Sequence, residues 1–128
     1  MQITKFLSAG LDGTLKMNNG AQFSYGGPWV NVVETLAIDT WHVGDFMSAD
    51  YTIAVDNGSN SKEIIKCLVV AGPANASLTV YGRTDTGSNV ITLTANVDNS
   101  RFYLYATPVS GAPKVIFSAN YYQTINPL

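Results

Sequence analysis

The chain of 128 residues has one cysteine and one histidine, and its only glutamates are Glu34 and Glu63. A single Cys67 excludes an internal disulfide and a thiol-rich metal cage. A sole His42 excludes a cluster of imidazole ligands and any relay between two histidines. Charge is scarce too, at 12% of residues, with 7 Lys and Arg against 9 Asp and Glu for a net charge of -2. No basic field is present to neutralise a run of phosphates, so nucleic acid is not an expected partner. Long apolar runs are also missing. No segment approaches the ~20 apolar residues of a membrane span, and the opening MQITKFLSAG lacks the apolar stretch of a secretory leader, so the sequence predicts a protein made and kept in solution, with no membrane partner.

What is present is a polypeptide with 46% hydrophobic residues, its polarity supplied mainly by Ser, Thr, Asn and Gly. That balance can bury a core and is unlike that of disordered chains. The length fits one domain. So few charges predict a surface rich in uncharged polar and aromatic groups, with faces covered by neighbouring subunits.

Residues 1–30 are cut by Gly10, Asp12-Gly13, Asn18-Asn19-Gly20 and Gly26-Gly27-Pro28, which predicts small hairpins or an extended N-terminal arm. From residue 31 to 128 the pattern changes. Seven alternating stretches end at Gly, Asn, Asp, Ser or Pro: Val30 to Thr40, Ser48 to Val55, Ile64 to Ala71, Asn75 to Thr84, Val90 to Val97, Arg101 to Thr107 and Lys114 to Tyr122. Ile64 to Ala71 is almost continuously apolar and predicts a central strand buried on both faces. The connections are too short for crossover helices. An all-β, antiparallel β-sandwich follows, jelly-roll-like with an immunoglobulin-like arrangement as second choice, since the Cys, Trp, Cys spacing of true immunoglobulin domains is absent.

No catalytic residue, cofactor site or metal site emerges. Gly10-Leu11-Asp12-Gly13-Thr14-Leu15 resembles the first motif of haloacid dehalogenase-type phosphatases, but Gly10 occupies the nucleophile's place, so a plain Asp-Gly turn is expected. Cys67 sits in an apolar run without a neighbouring base, the setting of an inert thiol. Asp39, Asp45, Asp50, Asp56, Asp85 and Asp98 are read mostly as turn residues, and no calcium-loop motif joins them. Aromatic residues are the remaining lead. Phe23, Tyr25, Trp29, Trp41, Tyr121 and Tyr122 are the candidate partner contacts, because Tyr and Trp combine apolar area with a polar tip that suits an interface or a sugar ring.

From Ile38 onwards the chain resembles a small β domain recurrent in virion structural proteins of marine tailed bacteriophages, cyanophages in particular. The likeness is carried by Ile38-Asp39-Thr40, Ser48-Ala49-Asp50-Tyr51-Thr52-Ile53, Cys67-Leu68-Val69-Val70, Val80-Tyr81-Gly82, Leu104-Tyr105-Ala106-Thr107-Pro108 and Lys114-Val115. It departs from that pattern at Asp50, where a basic residue is common, and at Ala71-Gly72, where a His is common. The resemblance implies a non-enzymatic virion component, assembled in the host cytoplasm. Such a component is a capsid decoration protein or a tail or fibre module, and it contacts other virion proteins and copies of itself. In that setting the arm buries Phe23, Tyr25 and Trp29 against a neighbour. The alternative from the residues alone is a carbohydrate-binding module, with a host-surface glycan as ligand.

Overall fold

The computed structural model describes residues 15–16, 21–58 and 60–124, with side chains from residue 26 onward. Ten strands run in chain order: β1 (Leu15–Lys16), β2 (Ala21–Gly26), β3 (Val30–Asn31), β4 (Leu36–His42), β5 (Phe46–Asp56), β6 (Lys62–Ala71), β7 (Ala76–Asp85), β8 (Ile91–Asp98), β9 (Arg101–Pro108) and β10 (Lys114–Gln123). The last seven coincide with the seven alternating stretches of the sequence. Two sheets result, a large one in the order β1-β2-β10-β5-β6-β7 with β3 beside β10, and a small one in the order β4-β9-β8. Every pairing is antiparallel.

The chain is all-β, an antiparallel sandwich, as the period-two pattern predicts. Its strand order places β5, β6 and β7 as a three-strand meander within the large sheet, whereas β8 and β9 form a hairpin in the small one. β10 returns between β2 and β5 and is the longest-range element of the fold. β2 and β3 pair with β10 of the same chain. Residues 21–31 therefore extend the chain's own sheet, where the sequence left hairpins and an outward arm both open.

Three turns show why particular residues are needed. Asn99 and Ser100 join β8 to β9 with φ of 54° and 62°. Two consecutive left-handed residues match the twist of a tight hairpin. Gly58 and Gly111 also adopt positive φ, of 83° and 70°, a conformation glycine takes without steric cost.

The core fills the gap between the sheets. Tyr51, Ile53, Ile65, Cys67, Ile91, Phe102, Leu104 and Val115 have no exposed surface. Alternation is strict along β6, where Glu63, Ile65, Cys67, Val69 and Ala71 point in and the residues between them point out. The expectation for this strand is corrected here. Ile64, Leu68 and Val70 are 44%, 49% and 53% exposed, so β6 is buried on one face only, and the centre of the large sheet is held by β10 and β5. An apolar run reports that both faces are apolar; it does not report that both are covered.

Candidate functional site

The chemically richest groups lie between the sheets. β4 carries Asp39 and Trp41 on its inward face, β5 carries Tyr51, and β10 carries Tyr121. The Tyr51 and Tyr121 hydroxyls both donate to Asp39 Oδ2 at 2.6 Å. Trp41 Nε1 donates to the Tyr51 oxygen at 3.0 Å, and the Thr40 N–H donates to Asp39 Oδ1 at 3.0 Å. Around this network Trp41 stacks on Phe102 with ring centroids 4.3 Å apart, and Phe46 stacks on Tyr121 at 4.9 Å.

Burial pushes the Asp39 carboxyl above its ordinary range, although the hydrogen bonds from Tyr121, Tyr51 and Thr40 and the charge of Arg101 act the other way. Burial likewise raises the Tyr51 hydroxyl, with the Asp39 charge adding to it. An acid that is shielded, raised and already bonded to two phenols is well placed to hold two sheets together. Its oxygens face protein donors, which is how a buried carboxylate is stabilised.

A second buried acid closes the other end of the sandwich. The Glu63 side chain has no exposed surface and receives Arg83 Nε at 2.6 Å on one oxygen. Its other oxygen accepts the N–H groups of Val90 and Ile91 at 3.0 and 3.3 Å. Arg83 also donates to the Ile91 carbonyl. Glu63 and Arg83 thus pin the start of β8 to β6 and β7, where the chain passes from the large sheet to the small one. Beside them Lys62, Ile64, Thr84, Asp85 and Thr86 line a shallow groove.

The outward face of the large sheet has a different character. Leu68 and Val70 lie opposite Thr79 and Ser77 of β7 on one side and Asp50 and Ser48 of β5 on the other. A bulge between Lys66 and Cys67 leaves Tyr81 as the extra residue of β7. Tyr81 reaches across β6 and donates its hydroxyl to Asp50 Oδ1 at 2.7 Å, which raises the Tyr81 hydroxyl pKa. Lys66 Nζ donates to the Thr52 hydroxyl at 2.9 Å on the same face. The result is an apolar strip of Ile64, Leu68, Val70 and Tyr81, interrupted by Lys66 between Ile64 and Leu68 and edged by short polar side chains.

The candidate contacts chosen from sequence separate into two groups. Trp29 and Tyr122 are 53% and 51% exposed and remain open to a partner, whereas Trp41 and Tyr121, at 5% and 4%, are packed inside the chain's own core. Their polar tips, which suit an interface, serve the Asp39 network instead. The side chains of Phe23 and Tyr25 lie outside the described residues, as does the Asp12-Gly13 motif. Sequence reasoning assigns Asp39 to a turn and gives Glu63 and the exposed apolar residues of β6 no role. The available signal was that Asp39 shares a face with Trp41, and Glu63 shares one with Ile65, Cys67 and Val69.

The remaining candidates sit as turn chemistry predicts. His42 Nδ1 accepts the Gly44 N–H at 2.9 Å. Asp56 and Asp85 accept the N–H groups of Gly58 and Gly87 two residues on, at 2.9 and 3.0 Å. Asp50 departs from the turn reading and lies within β5. Burial pushes the Cys67 thiol up to about 11, away from the thiolate form that reacts. Among the described residues, no group of three His, Cys, Asp or Glu is placed to hold a metal ion.

No family model matches the chain, and no curated protein is similar enough to match. A solved structure does share its fold. The tailspike protein of Acinetobacter baumannii phage AM24 superposes with a TM-score of 0.50 at 11% identity, covering 86% of this chain and 28% of that one. The likeness is one of fold. The tailspike of A. baumannii bacteriophage Fri1, a capsular polysaccharide depolymerase, is similar with a TM-score of 0.47 at 12% identity, covering 94% of this chain and 21% of that one. This chain accordingly spans between about a fifth and a third of the length of the tailspikes it matches.

Proposed function

We propose that the chain is a structural module of a phage tail or fibre, and that it works by holding neighbouring proteins in place. The observation that carries this reading is the shared fold with one portion of the phage AM24 tailspike, which involves 86% of this chain. That agreement favours a tail or fibre position over capsid decoration. The resemblance to virion proteins of marine phages points to the same class of particle, and the proposed location is the virion.

The physical design fits such a role. Asp39 and Glu63, the two acids inside the sandwich, are both engaged in joining one sheet to the other. Their chemistry is spent on rigidity. The apolar strip on the outer face and the exposed rings of Trp29 and Tyr122 are where other virion proteins would bind. With a net charge of -2, nucleic acid is a poor candidate for those surfaces.

A second reading is favoured by one observation. The hydroxyl of Tyr81 is tied to Asp50 while its ring stays 49% exposed, so an anchored aromatic group is available to stack on a sugar ring. A host-surface glycan is the ligand of this alternative, and a glycan array read with wild type and Tyr81→Ala tests it. For the leading reading, purified particles are separated into heads and tails and analysed by mass spectrometry. Peptides of this chain in the tail fraction support the assignment, and peptides confined to heads, or absent from both, refute it.

A further inference from the structure

The large sheet has an open edge at β7, whose one strand neighbour among the described elements is β6. An edge strand presents the N–H and C=O groups of alternate residues outward, and natural edges are usually blunted by charge, proline, bulges or shortness. Here the edge is ten residues long. The edges of the small sheet, β4 and β8, have seven and eight residues. Val80 and Tyr81 of β7 are exposed large apolar residues, and neither β4 nor β8 has one.

Before the bulge, Ala76 to Val80 pairs with β6 in unbroken register, from Ala71 opposite Ala76 to Cys67 opposite Val80. Cross-strand partners share a face. Ala76, Leu78 and Val80 therefore lie on the core side with Ala71, Val69 and Cys67, while Ser77 and Thr79 lie on the outer side with Val70 and Leu68. Val80 is nevertheless 37% exposed, and Ala76 and Leu78 are only part-buried. The three-stranded sheet stops short of covering this row.

The segment Ala76-Ser77-Leu78-Thr79-Val80 is uncharged and matches itself when reversed. Laid antiparallel against a second copy with Leu78 opposite Leu78, Ala76 meets Val80 on the core side and Ser77 meets Thr79 on the outer side. Apolar residues face apolar residues, hydroxyls face hydroxyls, and no like charges oppose one another. The nearest charges on the strand, Arg83 and Asp85, fall outside this stretch, and Arg83 is held by Glu63. A second copy is the occupant that this self-matching pattern selects, and a two-fold axis is the symmetry it requires.

We propose that two copies of this chain pair through Ala76–Val80 about a two-fold axis at Leu78, joining their large sheets into one. This names a partner and a surface for the contact-module reading, and it can fail alone, because a monomer in solution says nothing about which particle fraction holds the chain.

The experiment measures mass by sedimentation for wild type and for Ser77→Lys/Thr79→Lys. Both positions are exposed, and in the pair each new lysine faces a lysine of the other copy. A dimeric wild type and a double variant of half its mass, with an unchanged far-ultraviolet dichroism spectrum and a melting curve that no longer depends on protein concentration, are expected. A wild type that is monomeric, or a double variant whose mass stays at the wild-type value, overturns the proposal.

Should the double variant fold poorly, cross-linking decides. Opposed residues of an antiparallel pair have Cα atoms within disulfide range. Leu78→Cys is expected to give a covalent dimer on mild oxidation with diamide, while Thr84→Cys on the same strand stays monomeric on a denaturing gel. Equal cross-linking of both, or of neither, overturns the proposed register.

Discussion

The Tyr51 hydroxyl donates to Asp39 Oδ2 at 2.6 Å from the opposite sheet. With Tyr121 bound to the same oxygen and Trp41 bound to Tyr51, one carboxylate organises three aromatic rings from β4, β5 and β10. Hydrophobic contact is indifferent to small slides of one sheet over the other. Directional bonds between fixed strands are not, and they select one arrangement of the two layers.

Asp39→Ala leaves the Tyr51 and Tyr121 hydroxyls without their buried acceptor. Removing the acceptor of two such groups costs about 2–6 kcal/mol. Urea denaturation is expected to show that loss, together with weakened near-ultraviolet dichroism from the packed rings.

The same carboxyl makes stability depend on pH in an unusual direction. Its folded-state pKa is raised above the ordinary 3.8, so between the two values the native state binds the proton that the unfolded chain has released. The contribution of Asp39 is complete below pH 3.8 and is lost as pH rises through the raised value. Relative to Asp39→Asn, which cannot titrate, wild type should gain stability as pH falls towards 4. A difference between the two that does not change with pH would contradict this. Asp56, paired with Lys62 and lowered, acts oppositely, its contribution being lost as pH falls below its ordinary value, and it is common to both proteins.

Glu63→Ala should be among the most damaging single changes in the chain. It leaves the Val90 and Ile91 N–H groups without their acceptor and Arg83 without its carboxylate. Breaking a buried pair by removing one member costs about 3–5 kcal/mol. Hydrogen exchange is expected to show lost protection at Val90 and Ile91 first, because they lie at the joint between the sheets.

The two tryptophans should behave as opposites. Trp41→Ala empties a buried site against Phe102 and costs about 3–5 kcal/mol, whereas Trp29→Ala, at a position 53% exposed, stays within about 0.5 kcal/mol. Thermal unfolding of the two variants side by side checks both.

Much of the fold was legible because strand formation here is local. Alternation from Ile91 to Val97 is strict, that from Lys114 to Tyr122 is broken only at Ile116 and Tyr122, and Gly, Asn and Asp mark the turns between. Sheet order was not legible, since β10 finds β5 across some sixty residues and nothing in either segment names the other. The errors concerning the site share one cause. Residue type alone marks Trp41 and Tyr121 as interface aromatics and Asp39 as a turn acid, although each alternates in step with inward neighbours. Apolar character alone marks Ile64, Leu68 and Val70 as covered. Composition reveals what a face would tolerate, and only the opposite layer determines whether it is buried.

The most direct test of the account is a cryo-electron-microscopy map of the source particle at a resolution that separates strands. The account predicts density for this two-layer sandwich in the tail or its fibres, with the strip of Ile64, Leu68, Val70 and Tyr81 covered by a neighbouring protein. A map in which the tail and fibres are complete without this chain, or in which that strip faces solvent in every copy, would contradict it.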